Sequence, residues 1–162
     1  MTVTARRLRA HGLSVAVPPG WHARIDRRVE ASVVAPGTTV PISGTVHPVL
    51  HLSTVPLPAR RGDYGSGVVD IMGRNDIFVC LAEFDAEAGA TELFANGELP
   101  LVRAVDFSPT AQQRVIPGMC GTQRFVNVGG RAFCLYVVLG SWRGRAGLVP
   151  LANRAITAID LD

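Results

Sequence analysis

Residues 121–145 read GTQRFVNVGGRAFCLYVVLGSWRGR, two apolar runs separated by a glycine pair. Gly129-Gly130 signals a two-residue hairpin, because both corner residues of such a turn need positive φ. The turn fixes the register: Val128 faces Arg131, Val126 faces Phe133 and Phe125 faces Cys134. Alternation then places Phe133, Leu135, Val137 and Leu139 on one face and Ala132, Cys134, Tyr136 and Val138 on the other. Neither face is polar, so this strand is central and needs cover on both sides.

The rest of the chain is read outward from that hairpin. Asp76–Phe84 (DIFVCLAEF) is a second strand apolar through its middle, which also implies two covered faces. Leu13–Val17 is a strand closed by the Pro18-Pro19-Gly20 turn, and Trp21–Ile25 resumes extended chain. Arg28–Ala35 reads as a further strand and residues 36–45 (PGTTVPISGT) as loop. Val46–Val55 is strand-like, with Pro48 pushing it toward a sheet edge. Residues 56–67 (PLPARRGDYGSG) form the longest irregular region and are expected to be a mobile loop. In 85–99, Asp85 can cap a helix running to Asn96 with Gly97 as its stop, or Asn96-Gly97 can turn a hairpin; the helix is preferred. Val102–Phe107 reads as extended, and Ser108-Pro109 opens a short helix over Thr110–Val115. Near the end, Leu148, Leu151, Ala152, Ala155, Ile156 and Ile159 fall at helical spacing, with Pro150 in the first turn. The expected fold is α+β: a twisted, mostly antiparallel sheet with helices packed on it, the C-terminal helix included.

With 162 residues the chain fits one domain, 1–162. Apolar residues make up 48% and charged ones 18%, against about 25% charged in an ordinary domain. Apolar surface is therefore either covered on both sheet faces or kept for a partner. All sixteen basic residues are arginine, which reads as the compositional bias of a GC-rich bacterial genome. A net charge of +3 hints at nucleic acid, but no basic run exceeds two residues and the aromatics sit in apolar runs, which argues against it. Three separated cysteines with no C-x-x-C argue against a disulfide scaffold or zinc module and suit a reducing compartment. The apolar run near the N-terminus breaks at Pro18-Pro19, too short for a signal peptide, and no stretch is long enough to span a membrane. The expectation is a cytoplasmic protein.

Cys134, mid-strand in an apolar layer, and Cys80, in the middle of DIFVCLAEF, are expected to pack as small hydrophobes. Cys120 differs: it lies in the glycine-flanked stretch PGMCGTQR, with Arg124 near enough to lower its pKa. A thiol enzyme would pair it with His47 or His51, because the second half of the chain holds no histidine. His47 and His51 have H-x-x-x-H spacing, but on a strand they stand about 13 Å apart, too far to share a metal ion. Arg61-Gly62-Asp63 matches an adhesion tripeptide by chance. The glycine-rich stretch 65–73 (GSGVVDIMG) lacks nucleotide-binding spacing. Asp70, Asp76, Glu83 and Asp85 read as a solvated rim. Nothing in the sequence requires a cofactor or metal.

Two stretches resemble PsbP-like domains. LSVAVPPGWHARI near the start is similar to their opening strand, Pro-Gly-Trp turn and second strand. GGRAFCLYVVLGS followed by LVPLANRAITAI is similar to their closing central strand and C-terminal helix. The resemblance implies a small α+β unit with an antiparallel sheet between helices, used as a non-catalytic binding or assembly module, and it brings no fixed site residues. The functional expectation is a non-enzymatic module that binds another protein or itself, with Trp21, Trp142, Arg143 and Arg145 as interface anchors. The alternatives are the Cys120 thiol enzyme and a carrier of a small apolar ligand, held between sheet and helix.

Overall fold

The computed structural model describes residues 4–27 and 47–162. The strand expected at Arg28–Ala35 and the loop expected at 36–45 lie outside the described residues. A hairpin opens the chain, β1 (Arg6–Ala10) and β2 (Leu13–Val17), turned by His11 and Gly12. There follow β3 (His22–Arg27), β4 (Pro48–Ser53), β5 (Ile77–Phe84), the one-turn helix α1 (Ala86–Gly89) and the two-residue β6 (Ala95–Asn96). The chain closes with β7 (Cys120–Val128), β8 (Arg131–Leu139), helix α2 (Arg145–Thr157) and β9 (Ile159–Leu161). Among the described residues the strands form two sheets, β1-β2-β9 and β3-β4-β5-β8-β7-β6, antiparallel except for the β6–β7 pair. The fold is α+β.

The β7–β8 hairpin has the register its glycines dictate: Val128 pairs Arg131, Val126 pairs Phe133 and Phe125 pairs Cys134. Gly129 and Gly130 take φ of 58° and 87°, where a β-branched or bulky residue is strained. β8 lies between β5 and β7, and its residues from Ala132 to Leu139 are buried. Its two faces serve two apolar layers. In the first, Phe133, Leu135, Val137 and Leu139 meet Leu50, Leu52, Ile77, Val79 and Leu81, covered by α2 and by Leu13, Val15 and Val17 of the small sheet. In the second, Cys134, Tyr136 and Val138 meet Val49, Phe78, Cys80 and Ala82, covered by Val55, Val68, Val69, Met72 and Met119. Helix thus covers one face, while irregular chain covers the other.

Arg131, at the start of β8, fastens the sheets together. Its Nε and Nη2 donate to the two carboxylate oxygens of Glu83 at 2.8 and 2.9 Å, and its Nη1 donates to the carbonyls of Gly12 and Asp162 at 3.0 and 3.2 Å. One planar cation therefore ties β5 to the β1–β2 turn and to the chain end. Glu83 belongs to a buried pair rather than to a solvated rim.

Several expected elements differ. Val46–Val55 is not an edge: β4 lies between β3 and β5, with Pro48 as its first residue, where the missing N–H leaves the ladder intact. The helix over 85–96 stops after one turn. Asp85 caps it as expected, accepting from the Ala88 N–H at 3.0 Å, but Phe94 then turns inward between Phe84 and Phe125 and carries Ala95–Asn96 onto β7. Val102–Phe107 is not extended throughout, because Asp106 accepts from the Arg103 backbone at 2.8 Å and closes a 3-10 turn at Ala104–Asp106. Thr110–Val115 forms no helix. The Gln112 amide donates instead to the carbonyls of Pro109 and Met119, at 3.0 and 3.3 Å, and the Tyr136 hydroxyl accepts from the Gln113 N–H at 2.9 Å. Helix α2 starts at Arg145, so Pro150 lies past its first turn, on the exposed side of the helix.

Glu83→Gln leaves Arg131 short of a charged partner. The side chains are 12% and 26% exposed, so the loss falls between that of a surface pair and that of a fully buried one, about 2–3 kcal/mol. Urea denaturation is expected to show a lower midpoint at unchanged slope.

Candidate functional site

A loop laid across a sheet must find partners for its backbone polar groups. Residues 56–67, expected to be mobile, are such a strap over β3, β4 and β5. The strap turns on itself through bonds from Gly62 N–H to the Ser66 carbonyl (2.9 Å) and from Gly65 N–H to the Gly62 carbonyl (3.0 Å). Gly65, at φ 87°, lies so close to Phe78 that a Cβ would meet the ring at 2.6 Å. Asp63 gives its carbonyl to two side chains, the His51 Nε2 at 2.6 Å and the Cys80 thiol at 3.1 Å.

His51 stands opposite Cys80 on β5 and opposite Arg24 on β3. Its Nδ1 accepts from Arg61 Nε at 2.8 Å. Guanidinium can only donate, so Nδ1 carries no proton, and Nε2–H is the donor to Asp63. Arg61 also donates to the Pro58 carbonyl at 2.9 Å and to the Asp26 carboxylate, and its side chain is only 6% exposed. Asp26 further faces Arg24 at 3.5 Å. Burial above all holds the His51 pKa below the usual imidazole range. The Asp63 hydrogen bond opposes this, the Arg61 charge reinforces it, and the Asp63 and Asp26 charges oppose it more weakly. Around these groups lies a cavity of about 200 Å³, lined by Arg24, Asp26, Arg27, Val49, His51, Ala59, Arg61 and Asp63.

The cysteines are buried. Cys134 packs in the second layer and accepts from the Gln123 amide at 3.4 Å, while Cys80 is the thiol beside His51. Cys120 is not a loop residue. It opens β7 in the first layer, and burial pushes its thiol up to about 11, against a weak opposing effect of Arg145. Arg124 pairs instead with Asp106, at 3.5 Å. His51 packs on Phe78 in the second layer, so the sheet separates it from Cys120, and the expected thiol–imidazole pair is not assembled. His47 precedes β4. Among the described residues no group of three His, Cys, Asp or Glu is placed to hold a metal ion.

The expected interface anchors fall in two places. Trp21 sits at the β2–β3 turn, half-buried on the first layer. Trp142, Arg143 and Arg145 lie together at the start of α2. The Arg145 guanidinium stacks 3.7 Å from the Trp142 ring centre and donates to the carbonyls of Trp142 (2.8 Å) and Ala104 (3.3 Å). Arg143 is exposed. Beside them, the Asn153 side chain takes both backbone groups of Val102, at 2.8 and 2.9 Å. The segment 101–106 is thus pinned along α2, yet Leu101 and Val105 are 54% and 78% exposed. Leu101 continues into an open groove of about 540 Å³ whose walls carry Leu99, Val128, Ile156, Ile159 and Leu161 together with Glu98, Thr157 and Asp160. The sequence signal for this patch was hidden, since Val102–Phe107 reads as an ordinary extended run.

Comparison with family models, with curated proteins and with solved structures gave no match. No helix among the described residues is long and apolar enough to cross a membrane.

Two outcomes follow from the site's chemistry. With all three thiols buried and Cys120 held protonated, iodoacetamide at neutral pH is expected to leave the folded protein unlabelled and to modify three cysteines after denaturation. His51 refuses a proton in the folded state that it accepts when unfolded. Stability is therefore full above the unfolded value, about pH 6.5, and falls as the pH drops from there toward the folded value. The decline of Tm between about pH 7 and pH 5 is expected to be shallower in His51→Gln than in the native chain.

Proposed function

We propose that the protein is a non-enzymatic binding module whose partner is a protein segment carrying apolar side chains and acidic groups. The observation that supports this is the pinned segment 101–106. Asn153 and Arg145 hold its backbone to α2, so Leu101 and Val105 are kept in water by the fold rather than by fraying. Ordered, exposed apolar side chains bordering an open groove of mixed polar and apolar walls suit an interface core with a polar rim.

Charge names the partner's chemistry. Arg103, Arg124 and Arg145 border the segment 101–106, whose carboxylate, Asp106, is almost covered and occupied by Arg103 and Arg124; at the far end the groove carries Glu98 and Asp160, the latter paired with Arg7. Burial works against the charged Asp106, but the bonds from Arg103's backbone and side chain and the charges of Arg103 and Arg124 outweigh it and lower its pKa. The rim is therefore positive around Leu101–Val105, the end of the groove that favours the acidic group of an incoming segment. The arginine over Trp142 adds a flat cationic surface of the kind found at interface hot spots. The groove is open rather than enclosed, which favours a peptide chain over a small apolar ligand.

A displayed random-peptide library selected on the purified protein tests this. The expected binders are acidic and apolar, and they lose at least about tenfold in affinity on Leu101→Ser with Val105→Ser, a fraction of what an interface core of this size carries. Binders of neutral or basic composition, binding unchanged in the double variant, or no enrichment over an unrelated protein would overturn the reading.

A further inference from the structure

We propose that the cavity between β3, β4 and the strap binds the oxyanion group, carboxylate or phosphate, of a small molecule. Three arginines line it, Arg24, Arg27 and Arg61, together with two aspartates, Asp26 and Asp63. Asp26 is divided between two of them, one oxygen accepting from Arg61 and the other lying 3.5 Å from Arg24 Nη2. Three arginines against two aspartates leave an excess of one positive charge around the cavity, which an anion would balance.

Arg61 is the built part of the site. A guanidinium has five N–H groups. Its bonds to His51, Pro58 and Asp26 use three, which leaves two on a side chain only 6% exposed. Those bonds also fix the guanidinium plane, so little side-chain freedom remains to be lost when a ligand arrives. His51 is a positioning residue, because both of its nitrogens are engaged, one by Arg61 and one by the strap. Arg24 and Arg27, exposed at the rim, supply further donors to a bound oxyanion.

Size restricts the ligand. A cavity of about 200 Å³ is smaller than the roughly 300–1,000 Å³ of pockets that take drug-sized molecules. That size matches inorganic phosphate or a small carboxylic acid. The wall is polar, so the ligand is not an apolar one.

The test is thermal denaturation of the full chain with sodium phosphate and, separately, sodium succinate, each against sodium chloride at equal ionic strength. One of the two anions is expected to raise Tm by about 4 °C at saturation, and which one does so separates phosphate from carboxylate. The variant Arg24→Gln with Arg27→Gln changes exposed side chains, so its Tm in chloride should match the native protein while the anion-dependent rise disappears. Arg61→Lys, which keeps the charge but not the fork, should lose the rise as well. An absence of any rise with both anions, or an equal rise in the Arg24/Arg27 variant, overturns the site and makes the effect a general one of salt.

Discussion

A strand with no polar face constrains everything around it. β8 is buried from Ala132 to Leu139, so each side of the central sheet has to be roofed, and the chain has one long helix among its described residues with which to do it. Helix α2 and the small sheet cover the first layer. The second layer is covered by irregular chain, which brings backbone polar groups against an apolar surface. Those groups need partners, and the sheet supplies them from positions that would otherwise be apolar. His51 and Cys80 stand side by side on β4 and β5 and meet the same carbonyl of the strap. The polar cavity is thus a consequence of how the second face is closed.

The same constraint accounts for which parts of the fold were legible in the sequence. Gly129-Gly130 fixes a turn by local chemistry, and the alternation on either side of it is apolar in both phases, so the hairpin, its register and its central place could be read from residues alone. So could the burial of Cys134 and Cys80. The helix read from the spacing of Leu148 to Ile159 is there as far as Thr157, but Ile159 opens β9 and pairs with Val15. Elements decided by distant partners were not. Phe94 leaves a helical pattern because Phe84 and Phe125 lie waiting for it. Gln112 and Tyr136 take the backbone groups of a segment whose Ser-Pro start promises a helix. β1 escaped because its arginines obscure any apolar alternation, and it is held by Ser14, Asp160 and Asp162 across the small sheet.

Of the two candidate surfaces, the anchors Trp142 and Arg145 were legible as types but not as a stacked pair. The pinned Leu101 and Val105 became visible only through Asn153, fifty-one residues from Val102. The cavity was invisible for a different reason. Arg61-Gly62-Asp63 invites reading as a surface tripeptide, whereas its arginine is interior and its aspartate acts partly through the main chain. No local pattern announces that a loop arginine meets a strand histidine ten residues away and a strand aspartate thirty-five residues away.

The absence of lysine takes on meaning at three positions. Arg131 joins both oxygens of Glu83 to the Gly12 and Asp162 carbonyls. Arg61 joins His51, Pro58 and Asp26. Arg145 lies flat on Trp142 while reaching two carbonyls. In each case one rigid, planar cation serves partners drawn from segments far apart in sequence, with its donors fanned at fixed angles. An ammonium group is a compact, strongly hydrated charge with three donors, and it cannot span those partners or stack. Compositional bias accounts well for the arginines on β1 and on the strap's outer side. At these three places geometry requires arginine, and the two sheets, the strap and the start of α2 are each fastened by one of them.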